Sequence, residues 1–465
     1  MNRRLAAICI VACLVVTTRA HAQSPNNPGQ SLQLRPSGQW LMGDLELTRG
    51  FAGMDLMKST PALFGTIKES KTYDLLEFRP NAVPWGPVNG LLPDPCGPLF
   101  SPVRNLEIAS KEQLGMRWDI YNVTVYQMES SAVYGSVRDE GANRFNLRAD
   151  LKLWDLDGIG MGRITAQMRQ SESFPGQVEP GSAIGTDIVL NSNYTGLQGT
   201  RLVRVRYEQG LFDNRAMAFV GKINPNDYFL NNPFAGDETT QFLASIFDGS
   251  DAAQSGFQGY MLGAGALTIP FDSVYANFAV TNPSSAGYRG MGTQGLDTGL
   301  WWFGTEVGIV TDWLGNKDAP GKYCVGFNTT NASYTSTDLS NAVSGNGFWL
   351  MGTEYITQDI GCWAQFTYCD PQVALYKTEF TLGLSIENCF GRERDGFGVA
   401  WGYTTAPQGN LGVQTVTEIY YRIQLTDSIQ ITPDIQIVTN PTDPLLGVNQ
   451  GNNVFVFGIR ALVHF

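Results

Sequence analysis

Val454-Phe455-Val456-Phe457-Gly458-Ile459-Arg460-Ala461-Leu462-Val463-His464-Phe465 closes the chain. Phe455, Phe457, Ile459, Ala461, Val463 and Phe465 alternate with Val456, Gly458, Arg460, Leu462 and His464. A period of two places the first set on one face of a strand. A strand that ends on an aromatic, in a chain with a secretory leader, predicts an all-β fold: a transmembrane antiparallel β-barrel of the bacterial outer membrane. Its apolar face would meet lipid and its other face would line a wet lumen.

Residues 1–22 read as that leader. Arg3 and Arg4 precede an apolar core of 12 residues, Leu5 to Val16, too short to span a bilayer. Ala20-His21-Ala22 supplies the small residues before a cut, with Gln23 as the expected mature start. A lipoprotein box at Ile10-Val11-Ala12-Cys13 is the rival, but leaves only about five apolar residues ahead of it. Further on, no stretch supplies the roughly 18 apolar residues of a membrane helix. A chain that enters lipid without such a helix must close a sheet, because hydrocarbon satisfies no open backbone group.

Composition narrows the function. Cleavage takes the basic count from 31 to 28 against 43 acids, so net charge moves from −12 to −15. Such a surface does not suit nucleic acid. Charged residues make up 16%, aromatics 11%, and there are 52 glycines. That mixture suits a lipid-facing sheet with aromatic girdles, although a secreted soluble β protein shares it. After cleavage His464 is the remaining histidine, which argues against Ser-His catalysis and multi-histidine metal sites, so neither an enzyme nor a cofactor is expected. Five cysteines remain: Cys96, Cys324, Cys362, Cys369 and Cys389. Their spacing fits no zinc motif, and a hairpin would bring Cys362 and Cys389 together as the first candidate disulfide.

Residues 23–100 form a polar and Pro-rich pre-barrel segment: a linker, a periplasmic extension or a partial plug. Pro80, Pro84, Pro87, Pro93, Pro95, Pro98 and Pro102 forbid a regular element across its end. Ser101-Pro102 reads as a helix N-cap and first turn, and Gly115 as its end. The barrel is expected over 101–465, short helix included. From Leu114 onward 16 strand candidates follow, the first at 114–128 and the last at 452–465. Asp155-Leu156-Asp157-Gly158, Pro270-Phe271-Asp272 and Thr426-Asp427-Ser428 are tight links after even-numbered strands. The links after odd-numbered strands are longer: 172–199, 225–257, 283–298, 335–346 and 440–451. Short turns at one rim and long loops at the other suit a porin-like barrel.

The strand faces differ in chemistry. In the second, Phe145, Leu147, Ala149, Leu151 and Leu153 oppose Asn146, Arg148, Asp150, Lys152 and Trp154. The third sets Gly162, Ile164, Ala166 and Met168 against Arg163, Thr165, Gln167 and Arg169. In the fourth, Val203, Val205 and Tyr207 oppose Arg204, Arg206 and Glu208. The fourteenth sets Thr417, Ile419, Tyr421, Ile423 and Leu425 against Glu418, Tyr420, Arg422 and Gln424. Charges of both signs on one face fit a water-filled lumen, and 16 strands leave room for one.

Four stretches resemble the carbohydrate-selective outer-membrane porins of the OprB type. They are Val205-Arg206-Tyr207-Glu208-Gln209 with Leu211-Phe212-Asp213; Asn226-Asp227-Tyr228-Phe229-Leu230-Asn231-Asn232; Glu418-Ile419-Tyr420-Tyr421-Arg422 with Ile431-Thr432-Pro433-Asp434-Ile435-Gln436 and Asn440-Pro441; and Gly458-Ile459-Arg460. The resemblance covers about 101–465. It implies a 16-stranded barrel through which sugars diffuse, with carbohydrate as substrate and outer-membrane lipid around it. The long Pro-rich segment and the cysteines depart from the pattern.

A sugar passes by exchanging water hydrogen bonds for wall hydrogen bonds at weak sites in series. The loop 225–257, which carries Asp227, Asp237 and Glu238 after Lys222, is expected to fold inward and narrow the pore. Arg204, Arg206 and Glu208 of the fourth strand are the candidates opposite it, Arg148, Lys152, Arg163 and Arg169 lie on neighbouring strands, and Glu418, Tyr420 and Arg422 of the fourteenth strand complete the pore-lining candidates. Phe465 would engage the barrel-assembly machinery, and a homo-oligomer is left open. Rival functions are a general or ion-selective porin and a structural outer-membrane protein.

Overall fold

A computed structural model describes residues 90–465 apart from 133–137, 157–158, 175–178, 192–198, 213–214, 251–258, 272, 286–288, 312, 314–319, 333–343 and 393. The leader, its lipoprotein alternative, residues 23–89, the link residues Asp157, Gly158 and Asp272, and positions 251–257 of the expected inward loop lie outside the described residues.

One closed antiparallel sheet dominates. Its strands are β1 Met116–Glu129, β2 Asp139–Leu156, β3 Gly160–Ser173, β4 Gly199–Leu211, β5 Ala216–Ile223, β6 Met261–Phe271, β7 Val274–Asn282, β8 Trp302–Thr311, β9 Gly321–Thr330, β10 Gly345–Tyr355, β11 Ile360–Cys369, β12 Thr378–Glu387, β13 Gly396–Thr405, β14 Val413–Gln424, β15 Ile429–Thr439 and β16 Asn453–His464. Each pairs with its sequence neighbours, and β1 pairs with β16 to close the ring. Val123 lies opposite Leu462 across that seam, and the Phe465 amide donates to the Ile120 carbonyl at 3.1 Å. Closure leaves no sheet edge in hydrocarbon.

The expected face divides lipid from interior. Phe278, Val307, Val325, Leu350, Ile419, Ile435, Phe455, Phe457 and Ile459 are exposed large apolar side chains. Ile419 is 39% exposed, while Glu418 and Arg422 on the other face are at 0% and 7%. Val203 and Trp154 depart from the expected alternation, each at a β-bulge. The β3–β4 register slips between Arg204 and Leu202, so Val203 is an unpaired extra residue and is buried. The β2–β3 register slips between Lys152 and Trp154, turning Trp154 outward, where its ring lies 6.0 Å from Tyr207.

The interior corrects the picture of a uniformly wet lumen. From β5 to β10 the inner face carries Met217, Phe219, Met261, Leu267, Tyr275, Trp302, Trp349 and Met351, packed as one cluster with Tyr228, Phe229 and Leu230 of a loop. The charged arc runs along β1–β4, with Arg144, Arg148, Asp150, Arg163, Arg204, Arg206 and Glu208, and returns along β14–β16 with Glu418, Arg422, Asp434 and Arg460. The inner space therefore has an apolar, filled side and a polar side.

Helix α1, Gly97–Leu114, begins earlier than Ser101. Pro98 occupies its first turn, and the Cys96 amide donates to Asp94 Oδ1 at 2.9 Å. Pro102 therefore sits inside the helix without an N–H. The Ser101 hydroxyl supplies a donor to the Pro98 carbonyl instead, at 3.0 Å. Gly115 ends the helix in the left-handed conformation (φ 67°), as glycine allows. The buried face of α1 lies against the barrel rim at the closing seam. The Phe100 ring meets Phe465 edge-on at 4.8 Å, and Arg104 and Asp94 both bond the Ser428 hydroxyl. The Leu92 amide donates to the Leu425 carbonyl at 2.8 Å.

The Cys362–Cys389 disulfide does not form, and both thiols are free. Cys362 lies opposite Leu384, five residues short of Cys389, which belongs to the following turn.

Two outcomes follow. A nitroxide at Phe457→Cys should report hydrocarbon and one at Glu418→Cys should not; aqueous surroundings at 457 would overturn the orientation. Burial pushes the Glu107 carboxyl up to about 7, with Asp119 adding to the rise and Arg117, 3.9 Å away, opposing it. Docked α1 thus prefers the protonated acid. Its docking is strongest below the ordinary carboxyl value of about 4.5 and weakens as pH rises toward 7. Hydrogen exchange of the α1 amides, corrected for intrinsic rates, should show less protection at pH 8 than at pH 5, and Glu107→Gln should abolish the difference.

Candidate functional site

The loop between β5 and β6 turns into the barrel. It opens with a 3-10 turn, Pro225–Asp227, capped by the Asn224 side chain, which accepts from the Asn226 amide at 3.3 Å. Residues 224–250 are then buried almost throughout. A polypeptide so placed must find partners for its own amides and carbonyls, and side chains of the wall provide them.

On β4, Arg204 Nε donates to Asp227 at 2.8 Å and Arg206 to the same carboxylate at 2.6 Å. Arg204 also reaches Gln167. Arg163 pairs with Glu208, which lies 2.9 Å from Arg206 and accepts from the Tyr228 hydroxyl at 3.2 Å. Across the interior, Glu306 accepts from the Leu230 amide at 2.9 Å and the Trp349 indole at 2.8 Å. Lys322 donates to the Asn231 carbonyl at 3.2 Å. The Phe219 and Tyr228 rings stack at 3.8 Å between these two anchors.

Farther along, Asp237 folds the chain on itself, accepting from the Thr239 amide at 2.9 Å and the Thr240 hydroxyl at 2.7 Å. Burial and the adjacent Glu238 hold the Asp237 carboxyl above its ordinary range. Glu238 lies 2.8 Å from Arg169 and 3.4 Å from Arg144. Arg460 donates to the Glu238 and Gln241 carbonyls at 2.8 and 2.7 Å, and Arg422 to the Thr240 carbonyl at 3.1 Å. Glu418 accepts from the Leu243 and Ala244 amides at 2.6 and 2.9 Å. Tyr420 packs edge-on against Phe242 at 4.9 Å.

The preceding long loop also enters. Its short helix α2, Pro180–Ile184, is capped by Glu179, whose carboxylate accepts from the Ser182 amide at 2.8 Å and the Leu190 amide at 3.0 Å. The Val189 carbonyl accepts from Ser245 of the inward loop at 2.8 Å, so the two loops form one body.

Of the residues expected from sequence, Arg169, Arg204, Arg206, Asp227 and Glu238 meet where loop and wall approach. Glu208 and Arg163 stand behind them. Arg148 pairs with Asp150 at 3.0 Å. Lys152 lies half-buried beside the end of α1 at the opposite rim, and Lys222 donates to the Gly290 carbonyl at 2.7 Å. Asp237, Glu418, Tyr420 and Arg422 contact the loop itself. Sequence reasoning passed over Arg144 and Arg460, although both lie on the polar faces of their strands. It also missed Tyr260, whose ring lies 5.3 Å from the Arg169 guanidinium and 5.4 Å from that of Arg204. It missed Glu306, Lys322 and Gln365 as well, each of which bonds a loop backbone atom.

The family model of the carbohydrate-selective porins, OprB family, matches residues 138–465. The chain belongs to that family. It is accordingly a bacterial outer-membrane porin. The fold agrees with a solved relative: the high-pH structure of Pseudomonas putida OprB aligns with a TM-score of 0.64 at 15% identity, covering 78% of this chain and 97% of that one. A triple mutant of the Rhodopseudomonas blastica porin aligns at 0.44 and 10% identity, covering 75% and 100%. No curated protein sequence matches.

Replacing Asp227 by Asn leaves Arg204 and Arg206 without their shared anion. Charge-assisted bonds of this kind contribute about 1.5–3 kcal/mol, so the loop entrance should loosen while the barrel persists. In a KCl gradient the reversal potential of D227N should move toward anion preference. An unchanged potential would place this pair outside the ion path.

Proposed function

We propose that the barrel passes small neutral sugars by passive diffusion through a passage lined by the charge pairs that tie the inward loop to the β2–β4 wall. The observation that carries this reading is the pairing at the closest approach. Arg144, Arg169, Arg204 and Arg206 face Asp227 and Glu238 at 2.6–3.4 Å. Guanidinium groups offer several donors and carboxylates several acceptors. A hydroxyl-covered solute can exchange water for these groups at small net cost. Opposite charges in pairs keep the local field small, so neither small anions nor cations gain strongly over a neutral molecule. The Tyr260 ring beside Arg169 and Arg204 adds an apolar face of the kind that a sugar ring stacks on.

In this reading Arg148, Lys152, Arg163, Glu208 and Lys222 extend the polar lining away from the narrow point. Asp237, Glu418, Tyr420 and Arg422 act on passage through the loop that they hold. Residues 101–465 are the channel unit with its rim helix, and lipid covers the exposed apolar belt. Phe465 serves assembly before the fold is complete. A general or ion-selective porin is the second reading, favoured by the number of charges on the arc.

Single-channel recording separates the two. Glucose added at millimolar concentration should reduce the KCl current through the carbohydrate channel, and maltose should act differently from glucose because it is larger. Current unaffected by both sugars, with a reversal potential far from zero in a salt gradient, would establish the ion-selective reading instead.

A further inference from the structure

At the long-loop rim, the inner faces of β1 and β2 hold an acidic cluster that the passage does not use. Glu129 is 3% exposed and Glu140 2%. Gln127 lies directly opposite Glu140 across the two strands, and Glu129 is the next inward residue along β1. Such diagonal neighbours are within reach of two long side chains turned toward one point.

The hydrogen bonding there is incomplete. Glu140 accepts from the Asn191 amide group at 2.7 Å through one oxygen, and its other oxygen is buried without a partner. Both carboxylate oxygens of Glu129 are buried without a partner. Independently, Gln127, 1% exposed, donates to the Leu190 carbonyl at 3.1 Å while its own amide oxygen is buried and unpartnered. The side-chain carbonyl of Gln436, which donates to the same Leu190 carbonyl at 2.9 Å, is in the same condition.

No described cation answers this negative charge. The charged groups that act most strongly on Glu129 and Glu140 are carboxylates, Glu179 foremost. Arg138 is the closest basic residue along the chain, and its carbonyl accepts from the Glu129 amide at 2.9 Å. Its guanidinium, however, is exposed and donates to the Ser130 carbonyl at 3.4 Å. The adjoining loop stretches 133–137, 175–178 and 192–198 contain no Lys or Arg. Two buried carboxylates without counter-charge are costly. Neutralisation requires either a bound cation or protons.

We propose that Glu129, Glu140 and the amide oxygen of Gln127 bind a divalent cation of the calcium type. Two carboxylates match its charge. An amide oxygen is an ordinary further ligand, and water completes the six to eight positions. Among the described residues no three acidic, His or Cys side chains form a metal group by themselves, so the amide oxygen is a necessary part of the set. The cation would fasten Leu190 and Asn191 of the second long loop to the wall. Through the Val189–Ser245 bond it would also steady the inward loop. The site is independent of which solute the barrel conducts.

Protein folded from inclusion bodies into detergent, free of lipopolysaccharide and stripped with EDTA, provides the test. Calcium chloride should bind saturably by calorimetry and raise the temperature at which the heat-modifiable gel band converts. Glu129→Gln, which keeps the Glu140–Asn191 contact, should weaken calcium binding at least about tenfold, and E129Q/E140Q should abolish the response. Two protons could neutralise the pair equally well. In that case calcium changes nothing in the wild-type protein, and this result would overturn the proposal. An undiminished response in E129Q/E140Q would overturn it too. Should the double variant not fold, the wild-type response and E129Q decide.

Discussion

Hydrocarbon offers backbone groups no hydrogen-bond partner, and every other feature of this molecule answers to that fact. The sheet must close, so β1 meets β16 and the last residue bonds to the first strand. A ring of 16 strands is too wide for its own side chains to fill. Two loops occupy much of the space, and they bring the same problem inside: buried peptide groups that need partners. The wall answers with side chains addressed to the backbone. Glu306 and Glu418 accept loop amides. Lys322, Arg422 and Arg460 donate to loop carbonyls. Gln365 donates to the Gly249 carbonyl at 2.6 Å.

Polar residues on the inner face thus divide into two kinds. Some hold the loop by its peptide groups. Others, on β2–β4, meet the loop's own carboxylates in ion pairs. Composition does not distinguish the kinds, because both draw on Arg and Glu. Position does: the first kind is spread around the circumference, the second gathers on one arc. A loop tied at many points keeps a constant aperture, which suits weak, serial contacts with a passing solute.

The strand count, the short and long rims and the lipid face were legible in the sequence, because a period of two repeated over many segments is a strong local signal. The bulges in β2 and β4 escaped notice. At Val203 and Leu153 one extra residue shifts the phase, and nothing in the residue types marks the shift. The helix starts earlier than Ser101 because Pro98 takes the first turn, after a bend in which Asp94 accepts from the Cys96 amide. The inward loop was legible from its length and acids, and so were Arg204, Arg206 and Asp227. The apolar inner face of β5–β10 was not. Met217, Phe219 and Trp302 alternate with outward apolar residues, so those strands read as hydrophobic on both sides, and only the packing of Tyr228, Phe229 and Leu230 explains why.

The Phe100–Phe465 contact has a consequence for the order of events during maturation. One ring lies in the rim helix beside β1 and the other follows β16, so each reaches its neighbour once the β1–β16 seam has paired. Contacts of such long sequence separation form late and slowly. The rim helix can therefore dock on that ring only after β16 has paired with β1, and the clasp then partly covers it.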